Sequence, residues 1–240
     1  MDSINKLRVG VLVDEKPRAG LRGEYGLSLY IESERWRLLF DAGSSDATLG
    51  SNASAMGVDL STVDLAIISH EHFDHTGGLA ALARSGIRAP VLIPAGASWR
   101  LERAIEDLGL SAKRVITGSE VLPGAFLLSQ QYGPPYEQAL AINLKGRGLV
   151  TVHGCSHPGP SKIVAKALND TGVRPFAVIG GLHLAWSPPE GVRSELEALA
   201  SLGVKVLVPL HCSGSLVMRE SSSFGIESRE VLAGDWVEFQ

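Results

Sequence analysis

The feature that most constrains this chain is a cluster of three histidines and an aspartate within six residues, His70–His75, directly after an apolar segment. That segment, Leu65–Ser69, is nearly continuous in apolar residues, which is typical of a strand buried on both faces. Gly77 and Gly78 follow the cluster and open a predicted helix. Imidazole and carboxylate groups are the ligands that divalent zinc, manganese and iron accept. The pattern therefore predicts a metal site at the end of a buried strand.

The spacing inside the cluster predicts two sets of ligands. His70 and His72 share one side of an extended chain, so both can bind one metal. Asp74 and His75 come after the chain turns and are displaced toward a second metal. Glu71 lies on the opposite side of the segment, where we expect a solvated or helix-capping role. We expect the whole segment to be an exposed loop.

The other four histidines come at or just after predicted strands in the second half of the chain: His153, His157, His183 and His211. Converging strand ends are where layered α/β proteins form their sites. His153 lies inside its strand, so a core role or a hydrogen bond to a ligand is expected there. Cys155 and Cys212 flank predicted ligands, and we expect them to pack as small apolar side chains.

Short apolar runs separated by turn residues predict strands along the whole chain. They are Arg8–Val13, Leu27–Ile31, Arg37–Phe40, Leu65–Ile68, Val91–Ile93, Arg114–Thr117, Phe126–Ser129, Ala139–Asn143, Leu149–His153, Ala177–Ile179, Val204–Val208 and Trp236–Phe239. Predicted helices are Asp46–Met56, Gly77–Arg84, Ala97–Leu108, Pro160–Asn169 and Glu190–Leu202. This order predicts one mixed α/β domain over residues 1–240, with two similar strand-rich halves packed face to face and helices outside.

Composition excludes several classes of protein. The 240 residues carry 22 Lys and Arg against 26 Asp and Glu, a net charge of −4, so nucleic acid is not an expected partner. Two cysteines are too few for a disulfide-rich secreted scaffold. The apolar runs are much shorter than the roughly 20 residues that span a membrane, and the start lacks a signal-peptide core. We expect a cytoplasmic protein with no membrane partner, and its oligomeric state stays open.

The cluster at His70–His75 reads HxHxDH and resembles the signature of the metallo-β-lactamase-fold hydrolases. The turn Asp41–Gly43 resembles the DxG turn of that fold, and the likeness extends over nearly the whole chain. Within this superfamily the chain is similar to the dihydropterin-methyl-ribofuranosylaminobenzene-phosphate synthase-like subgroup. The segments that carry this likeness are Gly26–Ser28, Ser69–Leu79, Gly154–Gly159, Gly180–Leu184 and Pro209–Gly214. The resemblance implies an α/β fold of the four-layer αββα sandwich type.

The same resemblance implies two divalent transition-metal ions, with zinc as the first choice and manganese or iron as alternatives. It assigns His70, His72 and His157 to one metal and Asp74, His75 and His211 to the other. Asp74 would also orient a metal-bound water, which is hydroxide at neutral pH because the metal lowers its pKa toward about 7.

The chain departs from the family pattern at one position. Typical members have an aspartate that bridges both metals after the strand corresponding to Ala177–Ile179, whereas this chain has His183 and no carboxylate in residues 180–186. A neutral imidazole does not readily bridge two cations through one nitrogen, so we expect the second metal to bind more weakly. Three roles stay open for His183: metal ligand, general acid or base, and hydrogen-bond partner of a ligand.

Two loops, residues 157–162 and 211–215, lead from a predicted ligand into a predicted helix start. Free backbone N–H groups at a helix start favour anions, and hydrogen-bond donors are added by Ser161, Lys162, Ser213 and Ser215. Helix capping by the serines explains each loop equally well when it is taken alone. Together the loops favour a small-molecule substrate that carries a phosphate or a carboxylate.

Two enzymatic functions follow. The first is hydrolysis of an ester, phosphoester, lactone or amide by a metal-bound hydroxide, with Asp74 and His183 as catalytic residues. The second, implied by the subgroup, is a transferase that condenses a dihydropterin pyrophosphate with a ribofuranosyl-aminobenzene phosphate, while the metals neutralise the pyrophosphate leaving group. Metal storage or sensing is disfavoured, because an open, glycine-rimmed site does not resemble a closed structural cage.

Overall fold

The computed structural model describes residues 1–239. The strands, β1 to β16 in chain order, are Leu7–Val13, Ser28–Ser33, Arg37–Phe40, Leu65–Ile67, Val91–Pro94, Ala112–Val115, Ser119–Leu122, Ala125–Leu127, Gln131–Tyr132, Tyr136–Glu137, Leu140–Leu144, Gly148–His153, Pro175–Gly181, Val206–Leu210, Glu227–Ser228 and Trp236–Phe239. The α-helices, α1 to α7, are Asp46–Ala55, Phe73–Thr76, Leu79–Arg84, Trp99–Asp107, Pro160–Thr171, Pro189–Ser201 and Ser215–Glu220. Short 3-10 helices cover Leu60–Thr62, His211–Ser213 and Ser221–Phe224.

The chain divides into two compact units. The N-terminal unit consists of Lys6–Ile116 and Leu232–Phe239, and the C-terminal unit of Met1–Asn5 and Thr117–Val231. Each unit has its own seven-stranded sheet and its own helices. The expected single domain over residues 1–240 stays a prediction.

The sheet of the N-terminal unit has the strand order β16-β1-β2-β3-β4-β5-β6. Neighbours from β16 to β3 are antiparallel, and neighbours from β3 to β6 are parallel. Parallel neighbours need crossover connections, which α1, α2 with α3, and α4 provide. As a result Asp41 and His70 both lie just beyond the carboxyl ends of neighbouring strands, β3 and β4.

The sheet of the C-terminal unit has the order β15-β14-β13-β12-β11-β8-β7. Its neighbours are parallel from β15 to β12 and antiparallel from β12 to β7, so it repeats the pattern of the first sheet. The prediction of a mixed α/β fold with two similar strand-rich halves is therefore confirmed. His157, His183 and His211 follow the carboxyl ends of β12, β13 and β14, the region where parallel sheets place their ligands.

Each unit buries its own helix-facing core. In the N-terminal unit this core includes Leu49, Leu82, Leu101 and Ile105, and in the C-terminal unit Val164, Leu196, Leu199 and Val217. Full burial of one such side chain contributes about 1.5–3 kcal/mol. This packing of the helices on each sheet holds the loops at the strand ends on rigid elements.

All the predicted strands are present, with bounds that differ by at most two residues. Strands β9, β10 and β15 were missed because two residues are too short to show an alternating pattern, and β7 because its side chains are exposed or half-buried. Helix α2 was also missed, since a single turn has no period. No helix within residues 1–239 is long and apolar enough to cross a membrane.

Candidate functional site

Asp41 organises the histidine cluster of the N-terminal unit. Its Oδ1 accepts the backbone N–H of Ser69 at 2.6 Å, and its Oδ2 accepts the Ser69 hydroxyl and Nδ1–H of His75, both at 2.7 Å. Burial raises the pKa of this carboxyl, and the charge and hydrogen bond of His75 oppose that rise. One buried side chain thus joins the ends of β3 and β4 to helix α2.

The hydrogen bonds to Asp41 also fix the tautomer of His70. Ser69 donates its single hydroxyl proton to Asp41, so its oxygen accepts Nδ1–H of His70 at 2.9 Å. Nε2 of His70 therefore carries a lone pair, and it lies 3.1 Å from Nδ1 of His72. Two imidazole nitrogens at this distance can bind the same ion, as the spacing predicted for this pair.

Asp74 and His75 form a second pair. Because Nδ1 of His75 donates to Asp41, Nε2 carries the lone pair, and it lies 3.5 Å from Oδ2 of Asp74. Both residues are buried in helix α2, with Asp74 only 6% exposed. The expectation of an exposed loop over the whole segment was therefore wrong for these two, because a helical turn carries them inward, and also for His70, which is fully buried just after β4. His72, by contrast, is exposed.

Two neighbours of the cluster have structural roles. Glu71 accepts the backbone N–H of Ser98 at 2.7 Å, at the start of α4, as the helix-capping expectation proposed. Gly78 lies against the loop after β3, where a Cβ would be 2.0 Å from the carbonyl oxygen of Ala42. A glycine is therefore required at the point where α3 begins.

In the C-terminal unit the corresponding buried carboxylate is Glu137, which the sequence analysis missed. Its Oε1 accepts the backbone N–H groups of Cys155 and Ser156, and its Oε2 accepts both the backbone N–H and Nδ1–H of His157, all within 2.9 Å. Burial alone would raise the pKa of Glu137, but the hydrogen bond and charge of His157, together with the backbone donors, lower it to about 2. The carboxylate thereby stays ionised in a buried position.

Glu137 does for His157 what Asp41 does for His75. Because Nδ1 donates to the carboxylate, Nε2 of His157 carries the lone pair. The ring of His157 lies 4.7 Å from the ring of His183, centroid to centroid. Only the position of Glu137 close to the apolar run 139–142, with Gln138 between them, could have suggested that it is buried.

His153 is a core histidine. It is fully buried, with Nδ1 at 2.8 Å from the Ser156 hydroxyl and Nε2 at 3.0 Å from the Thr151 hydroxyl. Since Ser156 donates its proton to the carbonyl of Gly181, Nδ1 of His153 is a donor and Nε2 an acceptor. Burial lowers the pKa of His153 to about 4, so the ring is neutral near pH 7.

Cys155, His183 and Cys212 form a third cluster in the C-terminal unit, with their ligand atoms within 4.8 Å of one another. Sγ of Cys212 accepts the backbone N–H of His183 at 3.3 Å. The hydrogen bond with the Cys155 side chain lowers the pKa of Cys212 to about 5, and the hydrogen bond with Cys212 raises the pKa of His183. Both cysteines are buried, as expected, yet they make polar contacts that simple packing does not need.

Backbone strain is concentrated around these clusters. Within residues 1–239 the non-glycine residues with positive φ are Asp41, Ser156, His183 and His211, at +59°, +64°, +54° and +49°. Each comes just after the carboxyl end of a strand, β3, β12, β13 and β14 respectively. Such conformations cost about 1–3 kcal/mol each and are typical of functional sites, where the surrounding structure maintains them.

The expected substrate-binding residues are placed differently from one another. Lys162 is exposed, and the backbone N–H of Ser161 donates to the carboxylate of Glu195 at 3.1 Å, so a side chain of α6 already accepts one donor at the start of α5. Ser213 is buried, and its hydroxyl donates to the carbonyl of Leu210 at 2.6 Å. The O–H donor of Ser213 is thus used inside the unit, because the loop must satisfy the carbonyl at the end of β14.

Comparison with known proteins agrees with this picture. Residues 21–173 match the family described as the metallo-beta-lactamase superfamily. The chain is 30% identical to the 7,8-dihydropterin-6-methyl-4-(beta-D-ribofuranosyl)-aminobenzene-5'-phosphate synthase of Methanocaldococcus jannaschii, over 80% of this chain and 81% of the relative. The structure of this chain resembles that of Tm1679, a metal-dependent hydrolase of the beta-lactamase superfamily. The TM-score is 0.80 and the identity 27%, over 96% of this chain and 98% of Tm1679.

A further solved structure shares the fold. The metallo-beta-lactamase fold protein YhfI from Bacillus subtilis matches with a TM-score of 0.70 and 14% identity, over 98% of this chain and 100% of that one. The predicted fold class is confirmed by these likenesses. On the sequence match and the shared fold together, the chain belongs to the metallo-beta-lactamase superfamily.

Proposed function

We propose that the chain is a metal-dependent hydrolase of a small anionic substrate. The observation that carries this proposal is that two buried carboxylates, Asp41 and Glu137, each accept Nδ1–H of a histidine, so that the lone pair of the neutral ring is on Nε2. This carboxylate–histidine pairing is how proteins orient imidazoles that bind a metal. In a fold family whose members are mostly metal-dependent hydrolases, it supports a metal centre that acts on an acyl or phosphoryl group.

The ligand set that we propose is the one the family pattern implies. It consists of His70, His72 and His157 for one ion, and Asp74, His75 and His211 for the other. The paired nitrogen and oxygen donors within the N-terminal unit fit divalent zinc, with manganese or iron as alternatives. Bound ions would supply a hydroxide nucleophile at neutral pH and neutralise the negative charge that develops on the substrate.

The chain's own groups then position water and protons. Asp74 has one carboxylate oxygen near Nε2 of His75, and we propose that its other oxygen accepts a hydrogen bond from the attacking water and fixes its direction. His183 is exposed and lies beside the ring of His157, so it can either give a proton to the leaving group or bind a metal. These two residues are the proposed catalytic groups.

The proposed contact with the negative charge of the substrate is made at the start of α5. Lys162 is exposed at the start of α5 and remains available to a phosphate or carboxylate, with Ser161 beside it. Ser213 is kept out of the proposed binding site, since its hydroxyl is used by the backbone. The expectation that nucleic acid is not a partner stays a prediction.

A second candidate is supported by one specific observation. The relative from Methanocaldococcus jannaschii, 30% identical over most of both chains, is a synthase. The corresponding activity would join a dihydropterin pyrophosphate to a ribofuranosyl-aminobenzene phosphate and release pyrophosphate. Metals that bind the leaving pyrophosphate would serve this reaction as well as hydrolysis.

A substrate panel separates the two candidates. The purified protein is incubated with phosphodiesters, lactones or a dihydropterin pyrophosphate, in the presence of zinc, manganese or iron, and the products are weighed by mass spectrometry. A hydrolase gives products that together contain one added water and needs no second substrate. A transferase gives an adduct and pyrophosphate only when the aminobenzene compound is also present.

The matched control for this panel is His72→Ala, which removes an exposed proposed ligand at little risk to folding. We expect hydrolysis by the parent and little by the variant. Equal turnover by the two proteins, or no turnover of any ester, phosphoester, lactone or amide by the parent, contradicts the proposed function.

A further inference from the structure

We propose that Cys155, Cys212 and His183 form a thiolate-containing metal site within the C-terminal unit. The site goes beyond the proposed hydrolytic centre, because neither sulfur belongs to its ligand set. It also favours one of the three roles left open for His183, that of a metal ligand.

The three ligand atoms lie close together. The two Sγ atoms and a ring nitrogen of His183 lie within 4.8 Å of one another. Around a tetrahedral zinc ion, with Zn–S near 2.3 Å and Zn–N near 2.0–2.1 Å, neighbouring ligand atoms are about 3.5–3.8 Å apart. The three ligand atoms therefore need to approach one another by only about an ångström, which side-chain rotation provides.

The fold brings Cys155, His183 and Cys212 to the same edge of one sheet. They follow β12, β13 and β14, which are adjacent parallel strands, so their loops leave the same edge of one sheet. Gly181, at the end of β13, makes the close approach possible, because a Cβ there would lie 2.8 Å from Sγ of Cys212 and 3.2 Å from Cα of Cys155. The backbone N–H of Ala185 then donates to the carbonyl of Cys212 and ties two of the loops together.

The sulfur of Cys212 lies in polar surroundings. Its Sγ accepts the backbone N–H of His183 at 3.3 Å, and its S–H donates to the carbonyl of Cys155 at 3.7 Å. When a metal displaces the S–H proton, the N–H of His183 remains to stabilise the thiolate. Neither cysteine forms a disulfide and both are buried, whereas His183 is exposed. An ion can therefore enter from the histidine side and meet both sulfurs behind it.

The donor set indicates which ion is bound. Two thiolates and one imidazole select zinc over manganese or magnesium, because soft sulfur ligands favour zinc. Three protein ligands leave the fourth tetrahedral position open, as in zinc sites that bind water or substrate. Binding displaces one proton from each thiol to the buffer, and no electron is transferred.

Cobalt(II) is the probe for this site, because it replaces zinc and shows a near-ultraviolet charge-transfer band when thiolate binds it. The full-length protein is stripped of metal, kept reduced and titrated with cobalt, then with zinc. Cys155→Ser and Cys212→Ser remove one sulfur each, and His72→Ala is the control that removes a ligand of the proposed hydrolytic centre only. Circular dichroism verifies that each variant is folded.

We expect the charge-transfer band in the parent and in His72→Ala, a weaker band or none in the serine variants, and loss of the band when zinc displaces cobalt. Zinc should also protect both cysteines of the parent from iodoacetamide, as measured by mass spectrometry. A folded parent that binds cobalt without the band, or an unchanged band in Cys212→Ser, overturns the proposal. Should the serine variants fail to fold, the protection experiment on the parent decides, and unprotected cysteines overturn it.

Failure of this site is distinguishable from failure of the proposed function. The band requires Cys155 and Cys212, which are not ligands of the proposed hydrolytic centre, whereas hydrolysis in the substrate panel requires His72, which is not a ligand of the thiolate site. A parent protein that shows the band but no hydrolysis supports the thiolate site and contradicts the proposed hydrolase function. A parent protein that hydrolyses substrate but shows no band supports the hydrolase function and contradicts the thiolate site.

Discussion

Replacement of Glu137 by glutamine tests whether a buried carboxylate orients His157. Glutamine has the same shape, but it carries no charge, and one of its terminal groups is an NH2 donor instead of an acceptor. Each oxygen of Glu137 accepts two N–H bonds, so whichever way the amide turns, two N–H donors face an N–H2 group. The variant therefore loses two hydrogen bonds and gains a local repulsion.

The size of the effect can be obtained in two ways. Hydrogen bonds to a charged group contribute about 1.5–3 kcal/mol each, so two of them amount to about 3–6 kcal/mol. Independently, the shift of the Glu137 pKa from 4.5 to about 2 corresponds to about 3 kcal/mol of stability at neutral pH. The two routes agree on a loss of at least about 3 kcal/mol for Glu137→Gln.

The pH dependence follows from the direction of this shift. The pKa of Glu137 is lower in the folded protein, so its stabilisation is complete above pH 4.5 and is lost as the pH falls from 4.5 toward about 2. The difference in unfolding free energy between parent and variant is therefore largest at neutral pH and narrows in acid.

Denaturant unfolding of the metal-free protein measures the stability difference, and competition with a chelator measures metal affinity. We expect Glu137→Gln to bind metal about 10- to 100-fold more weakly than the parent, which is the usual effect when the partner of a metal-binding histidine is removed. The control is Glu195→Gln. The native Glu195 accepts a single backbone N–H bond at the start of α5, so its replacement should lower the unfolding free energy by about 1 kcal/mol and leave the metal affinity unchanged. A Glu137→Gln protein within about 0.5 kcal/mol of the parent, with unaltered affinity, would refute the reasoning.

Three further substitutions have defined outcomes. The pKa of His153 is about 4 in the folded protein and 6.5 for an ordinary histidine, so the unfolding free energy should fall by up to about 3 kcal/mol as the pH drops from 6.5 to 4. Denaturant unfolding of His153→Gln should lack this pH dependence. Asp74→Ala should stay folded but lose turnover in a steady-state assay, and a rate within tenfold of the parent, about 1.4 kcal/mol in barrier, contradicts its proposed role. His183→Ala should lose metal content and activity in parallel, as counted by elemental analysis, whereas full metal content with low activity would support proton transfer instead.

The parts of the fold and site that sequence predicts are those that depend on neighbouring residues. The apolar runs predicted the long strands, because burial on both faces leaves a continuous pattern. The cluster His70–His75 predicted which of its side chains lie together in pairs, because the two members of each pair are at most two residues apart. Even so, the inward position of Asp74 was missed, since a single helical turn has no period to detect.

The parts that could not be predicted depend on contacts between distant segments. Glu137 contacts His157 across 20 residues, and Asp41 contacts His75 across 34, so no local spacing connects them. The same holds for Ser213, whose hydroxyl could equally have faced a substrate until the carbonyl of Leu210 was found beside it. Buried carboxylates that orient histidines become visible only when the tertiary structure is known.

The central claim is that these histidines bind metal, and elemental analysis of the purified protein tests it most directly. The parent is compared with His72→Ala and His157→Ala, and with Lys162→Ala as a control at an exposed residue outside the ligand set. We expect bound transition metal in the parent and in the control, and a loss of about one ion per chain in each histidine variant. A parent without transition metal, or histidine variants that retain the full metal content of the parent, would contradict the account.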